Sequence, residues 1–191
     1  MNHLAHALVA ERTGTSVVGN LMGDFVKGDL ASRYHGDLLR GILLHRQVDA
    51  FTDDHPAFLR CRGRFRPPFR RFAGVLVDVF WDHLLARDWE RHGGGEPLAG
   101  FASRVYAALA ERRAELPARM LGFVEYMTDT NLLVAYAVPE GVARALAGLS
   151  RRFPRENPLA EGLSELHRIG PEVEADLAEF LPDLWQRVGA G

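Results

Sequence analysis

Apolar and polar positions recur with a helical period along the whole chain, and nowhere do they alternate residue by residue for long enough to require a sheet. The pattern predicts helices over about residues 2–12, 16–27 and 36–51, then one opening at Pro56 and a central one running to about residue 91. Beyond these it predicts helices over about 97–115, 117–135, 139–152 and 159–188, the last interrupted near Gly170-Pro171. Breaks fall at Thr13-Gly14-Thr15, Gly28, Thr52-Asp53-Asp54-His55-Pro56, Pro67-Pro68 and Gly93-Gly94-Gly95. The expected architecture is therefore an all-α, single-domain helical bundle over 1–191.

One helix departs from the amphipathic norm. Val75 to Leu85 is apolar almost all the way round, the mark of a buried central helix, yet it carries Asp78, Asp82 and His83. Asp78 and Asp82 are four apart and stack on one face. An isolated carboxylate taken into an apolar interior costs several kcal/mol unless something positive meets it. A metal ion is the simplest such partner, and an imidazole beside it suits the same role. Three other predicted helices offer polar residues at matching spacing. Asn2 and His6 lie on the first, Asn20 and Asp24 on the second, and His45 and Asp49 on the third, where an apolar stripe of Leu38 and Ile42 runs into them. Each pair alone has a plain reading as a cap or an ion pair; their recurrence on four helices points to a shared metal or catalytic site in the bundle interior. Gly19 and Gly23 are expected to let a neighbouring helix approach closely.

Composition narrows the function classes. An apolar fraction of 47% and a charged fraction of 25% are those of a globular protein. A formal net charge of −2 gives the molecule no general attraction to nucleic acid or membrane, so a charged partner must be met by a local patch. Such a patch is visible: Arg60, Arg62, Arg64, Arg66, Arg70 and Arg71 fall in one stretch without an acid, interleaved with Phe65 and Phe69. It would orient the docking of an acidic protein. Cys61, the single cysteine, excludes an internal disulfide, and its arginine neighbours favour a thiolate. The start of the chain has no signal-peptide pattern and no segment is long and apolar enough to span a membrane, so a cytoplasmic location is expected. His35, His55, His92 and His167 read as surface or capping residues. Seven of the eight histidines precede residue 100, so the site-bearing half is about 1–92 and the acidic C-terminal half, about 96–191, reads as scaffold.

Four segments, taken in order, resemble the acyl carrier protein phosphodiesterases, also called holo-acyl carrier protein hydrolases. They are Met1-Asn-His-Leu-Ala-His6, Gly19-Asn-Leu-Met-Gly-Asp-Phe-Val-Lys-Gly28, Gly41-Ile-Leu-Leu-His-Arg-Gln-Val-Asp-Ala-Phe-Thr-Asp53 and Val77-Asp-Val-Phe-Trp-Asp-His-Leu-Leu85. The resemblance is close over the first half and limited to helical pattern beyond about residue 95. It implies an all-α fold related to the HD-domain phosphohydrolases, a manganese-dependent site, and hydrolysis of the phosphodiester joining 4′-phosphopantetheine to a carrier-protein serine. The implied site members are His6, Asp24, His45, Asp49, Asp78, Asp82 and His83. Gln47 stands where a second basic residue is common in the family. Gly23 stands where Ala is common, a difference expected to be neutral.

Residue chemistry agrees with this reading. A phosphodiester needs its charge screened and a nucleophile supplied, and a divalent metal does both. Imidazole and carboxylate ligands suit Mn²⁺, with Fe²⁺ or Mg²⁺ as alternatives. The expected ligands are His6, Asp24, His45, Asp78 and Asp82; Asp49 or His83 would orient a ligand or move a proton, and Arg46 would neutralise phosphate. Two rival readings are an HD-like phosphohydrolase acting on a nucleotide or small phosphate ester, and a non-catalytic carrier-protein-binding bundle.

Overall fold

The helical pattern becomes helix along residues 1–189, the part described by this computed structural model, and no strand occurs among those residues. The first elements are α1 (His3–Arg12), α2 (Val17–Met22), α3 (Gly36–Asp54), α4 (Pro56–Gly63), α5 (Ala73–Arg87) and α6 (Trp89–His92). There follow α7 (Leu98–Glu111), α8 (Ala118–Asp129), α9 (Leu132–Ala135), α10 (Pro139–Ser150) and α11 (Leu163–Gly189). Short 3₁₀ turns at Gly23–Phe25, Phe69–Phe72, Arg113–Glu115 and Leu159–Glu161 complete the order. No helix among the described residues is long and apolar enough to cross a membrane.

The apolar run at 75–85 does form the buried centre. Leu76, Val77, Phe80, Trp81 and Leu85 of α5 have no exposed surface and lie in one continuous core with α1, α4, α10 and α11 around them. Phe58 of α4 and Phe180 of α11 close on the Trp81 ring at centroid distances of 5.4 and 4.7 Å. Asp82 is as buried as these apolar neighbours, and its partner is the end of a helix. The backbone N–H groups of Leu4 and Ala5, in the first turn of α1, donate to Asp82 Oδ2 at 2.8 Å and Oδ1 at 3.0 Å. Helix starts leave such donors unpaired and carry partial positive charge. Asn2, at the N-cap position, makes no capping bond; its side-chain amide donates to the Tyr136 hydroxyl at 2.9 Å. A carboxylate on another helix thus caps α1, and the expectation of Asp82 as a metal ligand gives way to this role. Burial still raises its carboxyl to about 7, with the two amide bonds pulling the other way.

Close backbone approach sets the next layer. A Cβ on Gly19 would lie 2.5 Å from the Leu38 carbonyl oxygen, and one on Gly41 would lie 2.6 Å from that of Ser16. α2 and α3 therefore cross with their backbones in contact, as the glycine spacing on the second helix suggested. The predicted helix over 16–27 is shorter than expected. It ends at Met22 and tightens to 3₁₀ over Gly23–Phe25 before extended Val26 and left-handed Gly28 at φ +80°. The predicted 117–135 helix also divides, because Asn131 turns left-handed at φ +47° between α8 and α9. α11 bends at Ile169, next to the expected Gly170-Pro171 interruption.

The acidic C-terminal helix has a structural use. Asp176 of α11 is buried and pairs with Arg60 at 2.8 Å and Arg64 at 3.2 Å, while Glu179 pairs with Arg60 at 2.6 Å. His55 caps α4 through Ala57 N and pairs with Asp183 at 3.1 Å; it is buried rather than superficial. Arg60 and Arg64 are thus internal ties, which removes them from the expected partner-binding set; Arg62 lies over the Phe58 ring. Cys61 is fully buried, and that burial pushes its thiol up to about 12, overturning the expectation of a favoured thiolate.

Two measurements check this account. Asp82→Ala leaves the Leu4 and Ala5 amides without an acceptor and should lower unfolding free energy by about 2–4 kcal/mol in denaturant titration, with Asp82→Asn losing less. Because the folded carboxyl sits near 7 and the unfolded one at 3.8, the stability advantage of the wild type over Asp82→Asn should be greatest near pH 4 and shrink as pH rises through 7. Cys61 should resist iodoacetamide at pH 8 in the folded protein and react once denatured.

Candidate metal centre

Capping of α1 by Asp82 sets where the next turn of that helix points. His6, buried like Asn20 of α2 and His45 of α3, directs its ring toward α3. His6 Nδ1 lies 2.9 Å from Asn20 Oδ1, and His6 Nε2 lies 3.0 Å from Asp49 Oδ1. The other Asp49 oxygen, Oδ2, lies 3.0 Å from His45 Nε2, one helical turn earlier on α3. From the 3₁₀ turn after α2, Asp24 Oδ1 approaches the same His45 nitrogen at 3.4 Å. The two imidazoles stack with centroids 3.9 Å apart and planes at 19°. Ligand atoms of His6, His45 and Asp49 all fall within 4.8 Å of one another. Both histidines are nearly sealed, whereas the Asp49 and Asp24 side chains are 37% and 47% exposed, so the cluster opens on its carboxylate side.

Electrostatics shows what the cluster suits. Asn20 Oδ1 only accepts, so His6 Nδ1 carries the hydrogen and Nε2 presents a lone pair to the Asp49 carboxylate. Burial pushes the His6 imidazole down to about 4, outweighing the pull of the Asp49 carboxylate on a protonated ring, so the ring is neutral near pH 7. With that tautomer, His6 Nε2 and Asp49 Oδ1, 3.0 Å apart, both offer lone pairs to a shared cation. At His45 burial opposes the charged form, but its hydrogen bonds to the Asp24 and Asp49 carboxylates prevail and raise the ring to about 9. Against burial, His45 and its neighbours hold Asp24 down to about 2 and keep Asp49 well below the ordinary carboxylate range. Once a metal displaces the His45 proton, two imidazole nitrogens and two ionised carboxylates form a donor set that a divalent first-row cation fits.

Other expected members are placed around this centre or away from it. Asp78 adjoins it: the buried α-amino group of Met1 lies 3.3 Å from Asp78 Oδ1 and 3.3 Å from Asp49 Oδ1. Asp82 faces the start of α1 and not the cluster. His83 Nδ1 bonds the Tyr136 carbonyl at 2.7 Å, which fixes the ring against α9 and takes it out of the converging group. Arg46 Nη2 donates to the Val26 carbonyl at 3.3 Å, and Arg119 Nε to that of Phe25, so two arginines brace the turn that carries Asp24. Gly23 is not neutral here. A Cβ at that position would sit 2.1 Å from the His45 ring, so the ring occupies space that only glycine leaves open.

Asn20 and His3 matter more than sequence reasoning allowed. Asn20 was visible only as a partner in spacing with Asp24. His3 lies beside the cluster with its ring 4.5 Å from Phe123, and it could have been found as the residue one turn before His6.

Comparison with known proteins extends beyond the N-terminal half. The acyl carrier protein phosphodiesterase family model matches residues 1–184. A protein of that name from Serratia proteamaculans (strain 568) is 33% identical over 187 residues, covering 98% of this chain and 97% of its own. Its namesake from Enterobacter sp. (strain 638) is 32% identical over 182 residues, covering 95% and 94%. One from Photorhabdus laumondii subsp. laumondii is 30% identical over 187 residues, covering 98% and 94%. No solved structure gives a significant match. With the family match running from the His6 helix into α11, this chain belongs to the acyl carrier protein phosphodiesterases.

Proposed function

We propose that the protein is a metal-dependent phosphodiesterase that releases 4′-phosphopantetheine from holo-acyl carrier protein and leaves apo-acyl carrier protein. The observation that carries the metal is the neutral His6 Nε2 set 3.0 Å from an ionised Asp49, with His45 on the other oxygen. His6, His45 and Asp49 would hold the ion, with Asp24 the further carboxylate on the exposed side; Asp78 lies next to this group across the Met1 amine. Mixed imidazole and carboxylate donors suit Mn²⁺, with Fe²⁺ or Mg²⁺ also accommodated. Bound there, a divalent cation supplies charge against the phosphodiester and lowers the pKa of a water molecule.

The chain's own groups do the rest. Asn20 keeps the hydrogen on His6 Nδ1 and so keeps Nε2 available. Ionised Asp24, on the exposed side of the cluster, can orient an entering nucleophile by hydrogen bonding. Arg46 holds the Asp24 turn and remains exposed beside the open edge, where its other guanidinium donors can face phosphate. An all-α architecture with histidines and aspartates from three segments is compatible with a relation to HD-domain phosphohydrolases.

Titration of the purified protein with Mn²⁺, followed by calorimetry, should show binding that His6→Ala, His45→Ala and Asp49→Ala each abolish while helical circular dichroism persists. Asn20→Ala, which frees the His6 tautomer, should weaken binding by about 10–100-fold. Mass spectrometry of holo-acyl carrier protein incubated with enzyme and Mn²⁺ should show loss of the phosphopantetheine mass, and chelation should stop it. Turnover of free nucleotides with no effect on the carrier protein would favour the small-ester hydrolase instead. Absence of both metal binding and turnover would leave a non-catalytic bundle.

A further inference from the structure

Once Arg60 and Arg64 are committed to α11, the basic surface has a different outline from the arginine run in the sequence. Arg66, Arg70 and Arg71 are exposed, and no carboxylate among the described residues pairs with them. The run ends at Phe72, whose ring meets Phe153 edge-on at 5.5 Å. Phe153 lies just after α10, in Arg151-Arg152-Phe153-Pro154-Arg155. Arg151, Arg152 and Arg155 are likewise exposed without a paired carboxylate among the described residues, and Phe153 is itself 40% exposed. Acids outnumber Lys and Arg in this chain by 25 to 23, and Arg87, Arg104, Arg112, Arg113 and Arg168 all have carboxylate partners. Other arginines of the chain also lack a carboxylate partner; what distinguishes these is that the two arginine-bearing segments meet at the Phe72–Phe153 contact, beside an exposed aromatic ring.

The same segment reaches the metal centre. Arg152 stands over the rings of Phe123 at 5.3 Å and Tyr126 at 5.7 Å. Together with Arg119 and Phe123 it lines an open cavity of about 560 Å³ whose wall includes Asp24. Arg152 is thus shared between the basic surface and the mouth of the site.

From this continuity, and resting on the proposed function, we infer that the 151–155 segment joins Arg70 and Arg71 to form the docking surface for the acidic carrier protein. Phe153 is the apolar contact at its centre, and Arg152 meets the phosphodiester as it enters beside Asp24. The surface is built from both halves of the chain, so the C-terminal half contributes recognition as well as scaffold. Complementary charge steers such an encounter, and an arginine over aromatic rings is placed to form a two-pronged contact with a phosphate.

The test is binding of fluorescently labelled apo-acyl carrier protein, read by anisotropy, so that it does not depend on catalysis. Arg70→Glu/Arg71→Glu and Arg151→Glu/Arg155→Glu should each weaken binding by about tenfold or more at low ionic strength, with a smaller effect at high salt. Arg91→Glu, an exposed arginine away from this surface, should change nothing. Arg152→Gln should lower kcat/KM for the holo form more than it lowers affinity for the apo form. Wild-type affinity in the Arg151/Arg155 variant, with its circular dichroism intact, overturns the inference even if hydrolysis is normal. Conversely, the expected losses of binding without hydrolysis by the wild type would keep the surface and remove the phosphodiesterase reading. Duplex DNA of similar length that binds as tightly and is weakened by the same variants would make the surface a general polyanion site and overturn the assignment to a carrier protein.

Discussion

A carboxylate can lie in the apolar middle of a protein only if donors surround it, and here two amides at the start of α1 meet Asp82 on α5. This contact satisfies the unpaired end of a helix that enters the core and the charge that would otherwise be stranded there. It also fixes the rotation and depth of α1. His6 follows the capped turn directly, so its ring is aimed by a residue that never touches the cluster. Asn20 then fixes the hydrogen on that ring, and the close crossing of α2 and α3 brings His45 and Asp49 alongside.

Polar groups in and at the edge of this core fall into two sorts. Asp82, Asn20, His55, His83 and Asp176 each have a backbone or side-chain partner and serve to hold elements in register. His6, His45, Asp24 and Asp49 face one another at the surface end of the same layer, with more acceptors than protons to separate them. The first set makes the geometry of the second possible. A site of this kind is assembled without a strained loop: its components come from successive turns of two helices and one 3₁₀ turn, which rigid packing holds in place.

Family membership covers nearly the whole chain, and the structure gives that extent a physical meaning. α11 supplies acids that neutralise part of the arginine run, α9 receives the His83 ring, and α8 and α10 deliver arginines to the rim beside Asp24. The second half is therefore coupled to the first at several points, even though its sequence shows little beyond helical periodicity.

Periodicity alone determined the all-α class, the buried central helix and most of the helix breaks, because burial of one face leaves a direct trace in residue order. Spacing likewise marked His6, Asp24, His45 and Asp49, since a group displayed on the inner face of a helix must recur with its period. What spacing could not tell was which neighbour each inward group would meet. Asp78 and Asp82 share a face of α5, yet one reaches the Met1 amine beside the cluster and the other the start of α1. Arginines adjacent in sequence part company in the same way, Arg60 and Arg64 toward Asp176 and Arg70 and Arg71 toward solvent. Residue order records which side of a helix is buried. The identity of the partner across the gap depends on how helices far apart in the chain are brought together, and that is decided by packing.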